Sequence, residues 1–121
     1  MNAEPDIATT RELLRSVYGA FNRREIDAVL PAMHPEVEWP NGMEGGWVHG
    51  REAVRAYWTR QWSLLDPYVE PVSFEAAEDG RIIVNVHQVV RDLAGAIRVD
   101  RMVQHVYLIE NGLIQRMDIR E

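Results

Sequence analysis

The chain has 121 residues, of which 46% are hydrophobic and 26% are charged, and its formal net charge is −6 at pH 7. These values predict one soluble globular domain, residues 1–121, and the negative charge argues against a nucleic-acid partner, because phosphate binding needs clustered lysine and arginine. The absence of cysteine excludes disulfides, thiolate metal sites and a thiol nucleophile. No apolar run approaches the ~20 residues of a transmembrane helix. The polar N-terminal sequence lacks the apolar core of a signal peptide, so we expect a cytoplasmic protein outside the membrane.

The first half of the chain is predicted to be mainly helical. Between residues 6 and 22, apolar side chains recur at helical spacing on one face: Leu13, Leu14, Val17, Tyr18 and Phe21. A short second helix follows over residues 26–33, and Pro31 should kink or loosen it because proline lacks an N–H. The pair His34–Pro35 ends this helix, since a residue before proline avoids the helical conformation.

A short strand over residues 37–39 and a glycine-rich loop over residues 41–50 come next. A third helix is predicted from about residue 51 to residue 62, with Val54, Trp58 and Trp62 on one stripe. The remaining pattern is typical of strands, over residues 69–77, 81–91, 97–109 and 113–120. Tight-turn sequences separate these strands, so the sheet should be mostly antiparallel, and the fold should be α+β with the helices on one face.

Three segments taken together carry a family resemblance: YGAFNRREIDAVLPAMHPEVEW (18–39), GREAVRAYW (50–58) and HVYLIENGLIQRMDI (105–119). In their order and spacing they resemble SnoaL-like proteins of the nuclear-transport-factor-2-like superfamily. The resemblance implies a cone, in which a curved, mostly antiparallel sheet wraps around three N-terminal helices and leaves a deep apolar pocket. Members include ketosteroid isomerase, polyketide cyclases, limonene epoxide hydrolase and non-catalytic binding modules, so the resemblance implies the fold more narrowly than the function.

Strand alternation extends the resemblance to individual side chains, because successive residues of a strand face opposite sides of a sheet. The resemblance places Trp39 and Val37 inside. It also places inside the sets Ile83, Asn85, His87, Val89 and Arg91; Asp100, Met102, Gln104, Val106 and Leu108; and Gln115, Met117 and Ile119.

The alternate residues of the 81–91 strand would then form a mostly apolar convex face: Ile82, Val84, Val86, Gln88 and Val90. An exposed apolar sheet face needs to be covered, so we expect a homodimer through this face. His105 has the same outward parity, and we expect it in the dimer interface.

Two of the family's reactions lack their machinery in this sequence. Ketosteroid isomerase needs a carboxylate base and an oxyanion hole made of a tyrosine and an acid. Tyr18 stands at the tyrosine position, but Trp39 replaces the base and Gln104 replaces the acid. Limonene epoxide hydrolase needs an Arg-x-Asp pair and a second aspartate. The corresponding strand carries Asn85–Val86–His87, and the second acid falls near Ile119.

The polyketide cyclases offer a better match, because they use a histidine and an aspartate on neighbouring strands for acid–base chemistry. His87 suits the first role and Asp100 the second. Alternatively, His87 is a buried polar residue bonded to Gln104 or Asn85, and Asp100 pairs with Arg98 or Arg101.

The sequence therefore predicts a small-molecule-binding cone, with His87 and Asp100 as catalytic candidates. The ligand would be a hydrophobic ketone or polyketide-like ring. The expected ligand-binding residues are Tyr18, Trp39, Trp58, Asn85, Met102, Gln104 and Met117. No cofactor is expected. No metal is expected either, since the spacing of His34, His49 and the acids Glu36, Glu38 and Glu44 fits no standard site. The alternative is a non-catalytic ligand-binding or protein-association module.

Overall fold

The structure is a computed structural model that describes residues 7–121. Its helices are α1 (Ile7–Asn22), the short α2 (Ile26–Val29) and α3 (Arg51–Leu64). Residue 6, the first of the segment with predicted helical spacing, lies outside the described residues. A 3-10 turn continues α2 over Leu30–Ala32, and Pro31 lies in its first turn, where a missing N–H removes no helical hydrogen bond. The expected disturbance at Pro31 is this change from an α-helix to a 3-10 turn.

The described residues form one sheet of six strands: β1 (Met33–Pro40), β2 (Trp47–His49), β3 (Leu65–Ala76), β4 (Ile82–Asp92), β5 (Ile97–Glu110) and β6 (Leu113–Arg120). The strand order is β2-β1-β6-β5-β4-β3, and only the β1–β6 pair is parallel. The sheet is curved and unclosed, and the predicted cone-shaped α+β fold is confirmed. Two local predictions were wrong: His34–Pro35 lies inside β1, and part of the predicted glycine-rich loop forms β2.

The core lies between the helices and the concave face of the sheet. Helix α1 contributes the buried residues Leu14, Val17 and Tyr18, and α3 contributes Val54 and Trp58. From β4 the buried residues are Ile82, Val84, Val86 and Val90, and all four belong to the set that was predicted for the convex face. That assignment was wrong. The apolar branched side chains of β4 face the helices, because burying them against the core removes the most apolar surface from water.

The same reversal affects β5, and a β-bulge explains it. Counting back from the turn pair Glu110–Leu113, an unbulged hairpin would pair Val106 with Met117 and put both on one face. A register shift between Leu108 and Ile109 instead pairs Tyr107 with Met117. Because one extra residue moves a strand's side chains to the other face, the concave face carries Val103, His105 and Tyr107.

The reversal also removes the observation from which the homodimer was inferred. The convex face of β4 and β5 is not the apolar set but the mixed one, with Asn85, His87, Asp100, Met102 and Gln104. The homodimer therefore stays a prediction. Among residues 7–121, no helix has the length and apolar character needed to cross a membrane.

Candidate functional site

A cavity of about 380 Å³ opens between the helices and the concave face of the sheet. This volume falls within the range of small-molecule pockets. Much of its wall is aromatic and is contributed by Tyr18, Phe21, Trp39, Tyr57, Trp58 and Tyr107. The rings fix one another edge-to-face: the Trp39 and Trp58 centroids lie 5.4 Å apart at an interplanar angle of 84°. Such a wall offers large, rigid, flat contacts to an apolar or aromatic ligand.

Three polar side chains of the cavity wall form a hydrogen-bonded chain. The Tyr107 hydroxyl donates to the Tyr18 hydroxyl over 2.8 Å, and the Tyr18 hydroxyl lies 2.7 Å from Nδ1 of His105. All three side chains are buried. Tyr18 comes from α1, whereas His105 and Tyr107 share one face of β5. These hydrogen bonds therefore join the first helix to the sheet.

Burial determines the charge state of these three hydrogen-bonded side chains. Desolvation lowers the pKa of His105 from its ordinary value of 6.5 to about 4, because a buried imidazolium loses its hydration. Desolvation also raises the pKa of Tyr18 well above its ordinary value, and the neighbouring Tyr107 adds to the rise. Burial likewise raises the pKa of Tyr107. At neutral pH all three groups are therefore uncharged.

The neutral imidazole allows two proton arrangements, which differ in what the cavity offers a ligand. With the proton on Nε2 of His105, Tyr18 donates to Nδ1, and Nε2–H is the donor left for a ligand. With the proton on Nδ1, His105 donates to the Tyr18 oxygen. The Tyr18 O–H and the Nε2 lone pair are then a free donor and a free acceptor. No described residue bonds Nε2, and this nitrogen is not among the fully buried unpaired atoms.

A second polar group lies where the cavity meets solvent. Arg101 and Gln88 both line the cavity and are cross-strand partners on β5 and β4. Nε of Arg101 donates to Oε1 of Gln88 over 3.0 Å, and a terminal guanidinium nitrogen lies 3.2 Å from the Glu121 carboxylate. The Arg101 side chain is 44% exposed, so it reaches both the cavity and the solvent.

Four residues predicted to bind ligand do line the cavity: Tyr18, Trp39, Trp58 and Met117. The other members of the predicted site do not line it: Asn85, His87, Asp100, Met102 and Gln104. These five lie together on the convex face, where Met102 is 54% exposed and Gln104 donates to Asn85 over 3.0 Å. Their predicted sharing of one face is correct, and the choice of face was wrong for the reasons of burial and register given above.

The catalytic pair predicted from the sequence forms, but it forms outside the cavity. Nε2 of His87 lies 2.7 Å from Oδ1 of Asp100, with side-chain exposures of 40% and 54%. Neither alternative interpretation holds: the bond of His87 is to Asp100, while Arg98 pairs with Asp92 and Arg101 with Glu121. Acid–base chemistry by His87 and Asp100 on a ligand in this cavity is therefore excluded by their placement.

Sequence reasoning missed His105, Tyr107, Arg101 and Gln88 as cavity residues. The available signal was apolar parity: Ile82, Val84, Val86 and Val90 are the more apolar half of β4, and a core face should carry that half. Gln88 has the same parity on β4. Through the cross-strand register, Val99, Arg101, Val103, His105 and Tyr107 follow on β5.

Comparison with solved structures shows the same fold elsewhere. A structure of TerC co-crystallised with polyporic acid is 26% identical, with a TM-score of 0.79 over 92% of this chain and 89% of TerC. An NTF2-like protein of unknown function from Burkholderia pseudomallei is 28% identical, with a TM-score of 0.79 over 93% of this chain and 89% of that chain. A putative polyketide cyclase from Xanthomonas campestris is 21% identical, with a TM-score of 0.75 over 93% and 89%, and shares the fold.

No curated protein matches the sequence at a significant level. The SnoaL-like domain model, by contrast, matches residues 14–117, which include nearly every element described above. The chain therefore belongs to the SnoaL-like domain family.

Proposed function

We propose that the cavity binds a hydrophobic, polyketide-like ring bearing a ketone, and that Tyr18 and His105 carry out acid–base chemistry on it without a cofactor. The observation that carries this proposal is the buried contact of 2.7 Å between the Tyr18 hydroxyl and His105 in an otherwise largely apolar cavity. Buried polar groups of this kind fix ligand orientation and concentrate at functional sites.

In the proposed reaction His105 carries its proton on Nδ1 and donates it in a hydrogen bond to the Tyr18 oxygen. The Nε2 lone pair removes a proton from the carbon next to the ligand's carbonyl group. The electron pair of that C–H bond moves into an enolate, and the Tyr18 O–H donates a hydrogen bond to the enolate oxygen. His105 then returns the proton to another carbon of the conjugated system, which isomerises the ring system and restores the neutral imidazole.

The basicity of His105 narrows the substrate. A base whose pKa is about 4 removes protons only from carbon acids that are unusually acidic. Carbons flanked by a carbonyl group and either a second carbonyl group or an aromatic ring meet this condition, and polyketide-like rings contain them. The relative TerC, which was co-crystallised with polyporic acid, supports a ring-shaped organic ligand.

The second candidate function is ligand binding without turnover, and the same depressed pKa favours it. An imidazole that stays neutral and hydrogen-bonded serves as a ligand anchor as readily as a base. The two candidates share the cavity and differ in whether a bound carbon acid loses its proton.

The experiment that separates them uses β-tetralone, a bicyclic ketone with a C–H group between a carbonyl and an aromatic ring. Calorimetry first establishes binding, and NMR then follows deuterium incorporation at that carbon in heavy water. We expect faster incorporation with the protein, a loss with His105→Gln and Tyr18→Phe, and no change with the convex-face variant His87→Ala. Binding without any acceleration would overturn catalysis and leave the binding function.

A further inference from the structure

We infer that the cavity selects ligands carrying an anionic oxygen group, and that Arg101 and Gln88 form the site that recognises this group. The inference rests on the proposed function, because it takes the ligand to be an apolar ring held in the same cavity. It adds the chemical class of the substituent and the place where that substituent is bound.

The first argument is charge. Of the described residues that line the cavity, Arg101 is the only one whose side chain is charged at neutral pH, since His105 is buried and neutral. No carboxylate lines the cavity among these residues. The chain as a whole carries a net charge of −6, so its general field repels anions. Arg101 therefore places a positive charge at one point of the ligand site in a protein whose net charge is negative.

The second argument is hydrogen-bonding capacity. An arginine has five N–H donors, and two contacts of the Arg101 side chain are accounted for, with Gln88 and with Glu121. The Gln88 side chain accepts through Oε1, which leaves its amide N–H groups as further donors beside the guanidinium. A planar group of donors matches a carboxylate or an ionised enol, whose oxygens accept charge-assisted hydrogen bonds.

The third argument is that the present anionic partner is easily displaced. The Glu121 side chain is 68% exposed, and its contact with Arg101 is 3.2 Å. Exposed ion pairs contribute little stability, because water and salt screen them and two flexible side chains must be held. A ligand anion inside the cavity is better shielded from water, so it competes with Glu121 for the same guanidinium.

Matched ligand pairs test the inference by calorimetry near neutral pH. Naphthoate is compared with acetonaphthone, and ionised hydroxynaphthoquinone with neutral methoxynaphthoquinone, so that each pair differs mainly in charge. We expect about tenfold tighter binding of the anionic member in at least one pair, as for a hydrogen bond to a charged group. The pair that shows the preference identifies the group as a carboxylate or an enolate.

Variants of the protein test which residue causes the preference for the anionic ligand. Arg101→Gln should abolish it while neutral ligands still bind, and Arg101→Lys should keep only part of it, because lysine retains the charge and loses the planar donors. Glu121→Gln should strengthen anion binding by removing the competitor. Arg91→Gln is the matched control: Arg91 is an exposed residue of β4 that does not line the cavity, and this variant changes the net charge equally.

The outcomes separate this inference from the proposed function. Equal affinities within both pairs, or a preference that persists in Arg101→Gln, would overturn the inference and leave ring binding in place. Failure of all four probes to bind would overturn both. A preference that is lost in Arg101→Gln, kept in Arg91→Gln and weakened by added salt would support it.

Discussion

The Tyr18 hydroxyl on α1 and Nδ1 of His105 on β5 lie 2.7 Å apart, although 87 positions separate the two residues in the chain. Their rings also stack, with centroids 5.8 Å apart and planes inclined by 14°. The contact fixes the first helix over the sheet at the cavity wall, so a single polar pair contributes both to the fold and to the proposed chemistry.

Tyr18→Phe should therefore lower stability as well as activity. Removing the hydroxyl leaves Nδ1 of His105 and the Tyr107 hydroxyl without their partner in a buried place, which costs about 1–3 kcal/mol. Urea denaturation measures the loss. The control is Tyr68→Phe, because Tyr68 is 47% exposed on β3 and its hydroxyl has no side-chain bond among the described residues. Equal midpoints for the two variants would contradict a structural role for the Tyr18 hydroxyl.

Trp58 is expected to hold the aromatic wall together. It is 2% exposed and contacts Phe21, Trp39 and Trp62, so Trp58→Ala should cost about 3–5 kcal/mol through lost burial and a residual cavity. Trp47→Ala is the matched control, since Trp47 is 44% exposed and contacts the Arg116 guanidinium over its ring.

Thermal unfolding followed by circular dichroism compares these two tryptophan variants. Trp47→Ala should cost only about 1 kcal/mol, the value of an exposed cation–π contact together with modest burial. A Trp58→Ala protein as stable as Trp47→Ala would show that the neighbouring rings close the gap left by the indole.

The element order could be predicted from the sequence because apolar spacing and tight-turn residues are local signals, and the cone was implied by the resemblance to SnoaL-like proteins. Trp39 and Met117 were also assigned correctly to the interior, where the structure buries both. The core face of β4 could have been assigned from the apolar parity of Ile82, Val84, Val86 and Val90. The face of β5 could not be assigned from its own residues, because it depends on the bulge between Leu108 and Ile109, and a bulge without glycine or proline leaves no clear mark in the sequence. As a consequence, His87 was predicted to line the cavity and lies on the convex face, whereas His105 was predicted for the convex face and lines the cavity.

The convex face gives the predicted homodimer a direct test. On this face the apolar side chain of Met102 is 54% exposed, beside the His87–Asp100 pair. We propose that a second copy of the chain covers this face. Sedimentation velocity should then show a dimer that Met102→Asp dissociates, because the new carboxylate would be buried without a partner. Leu93→Asp, in the exposed β4–β5 turn, is the control. A wild-type monomer at high micromolar concentration would contradict the dimer.

The buried His105 should make stability fall in mildly acidic solution. Its pKa is about 4 in the folded protein and near 6.5 when exposed, so the unfolded chain binds the proton more readily between these values. The contribution of His105 to the free energy of unfolding is fully present above pH 6.5 and is lost as the pH falls toward 4. The loss amounts to about 2 kcal/mol between pH 7 and pH 5.

Carboxylates also make stability depend on pH, at lower pH values, and a variant without the imidazole removes only the part of the pH dependence that is due to His105. Urea denaturation of the wild type and of His105→Gln at both pH values isolates this part. We expect the wild type to lose about 2 kcal/mol more than the variant. Equal losses would mean that His105 has the same pKa in the folded and the unfolded protein, and the limit on the substrate that was inferred from its lowered pKa would then be wrong.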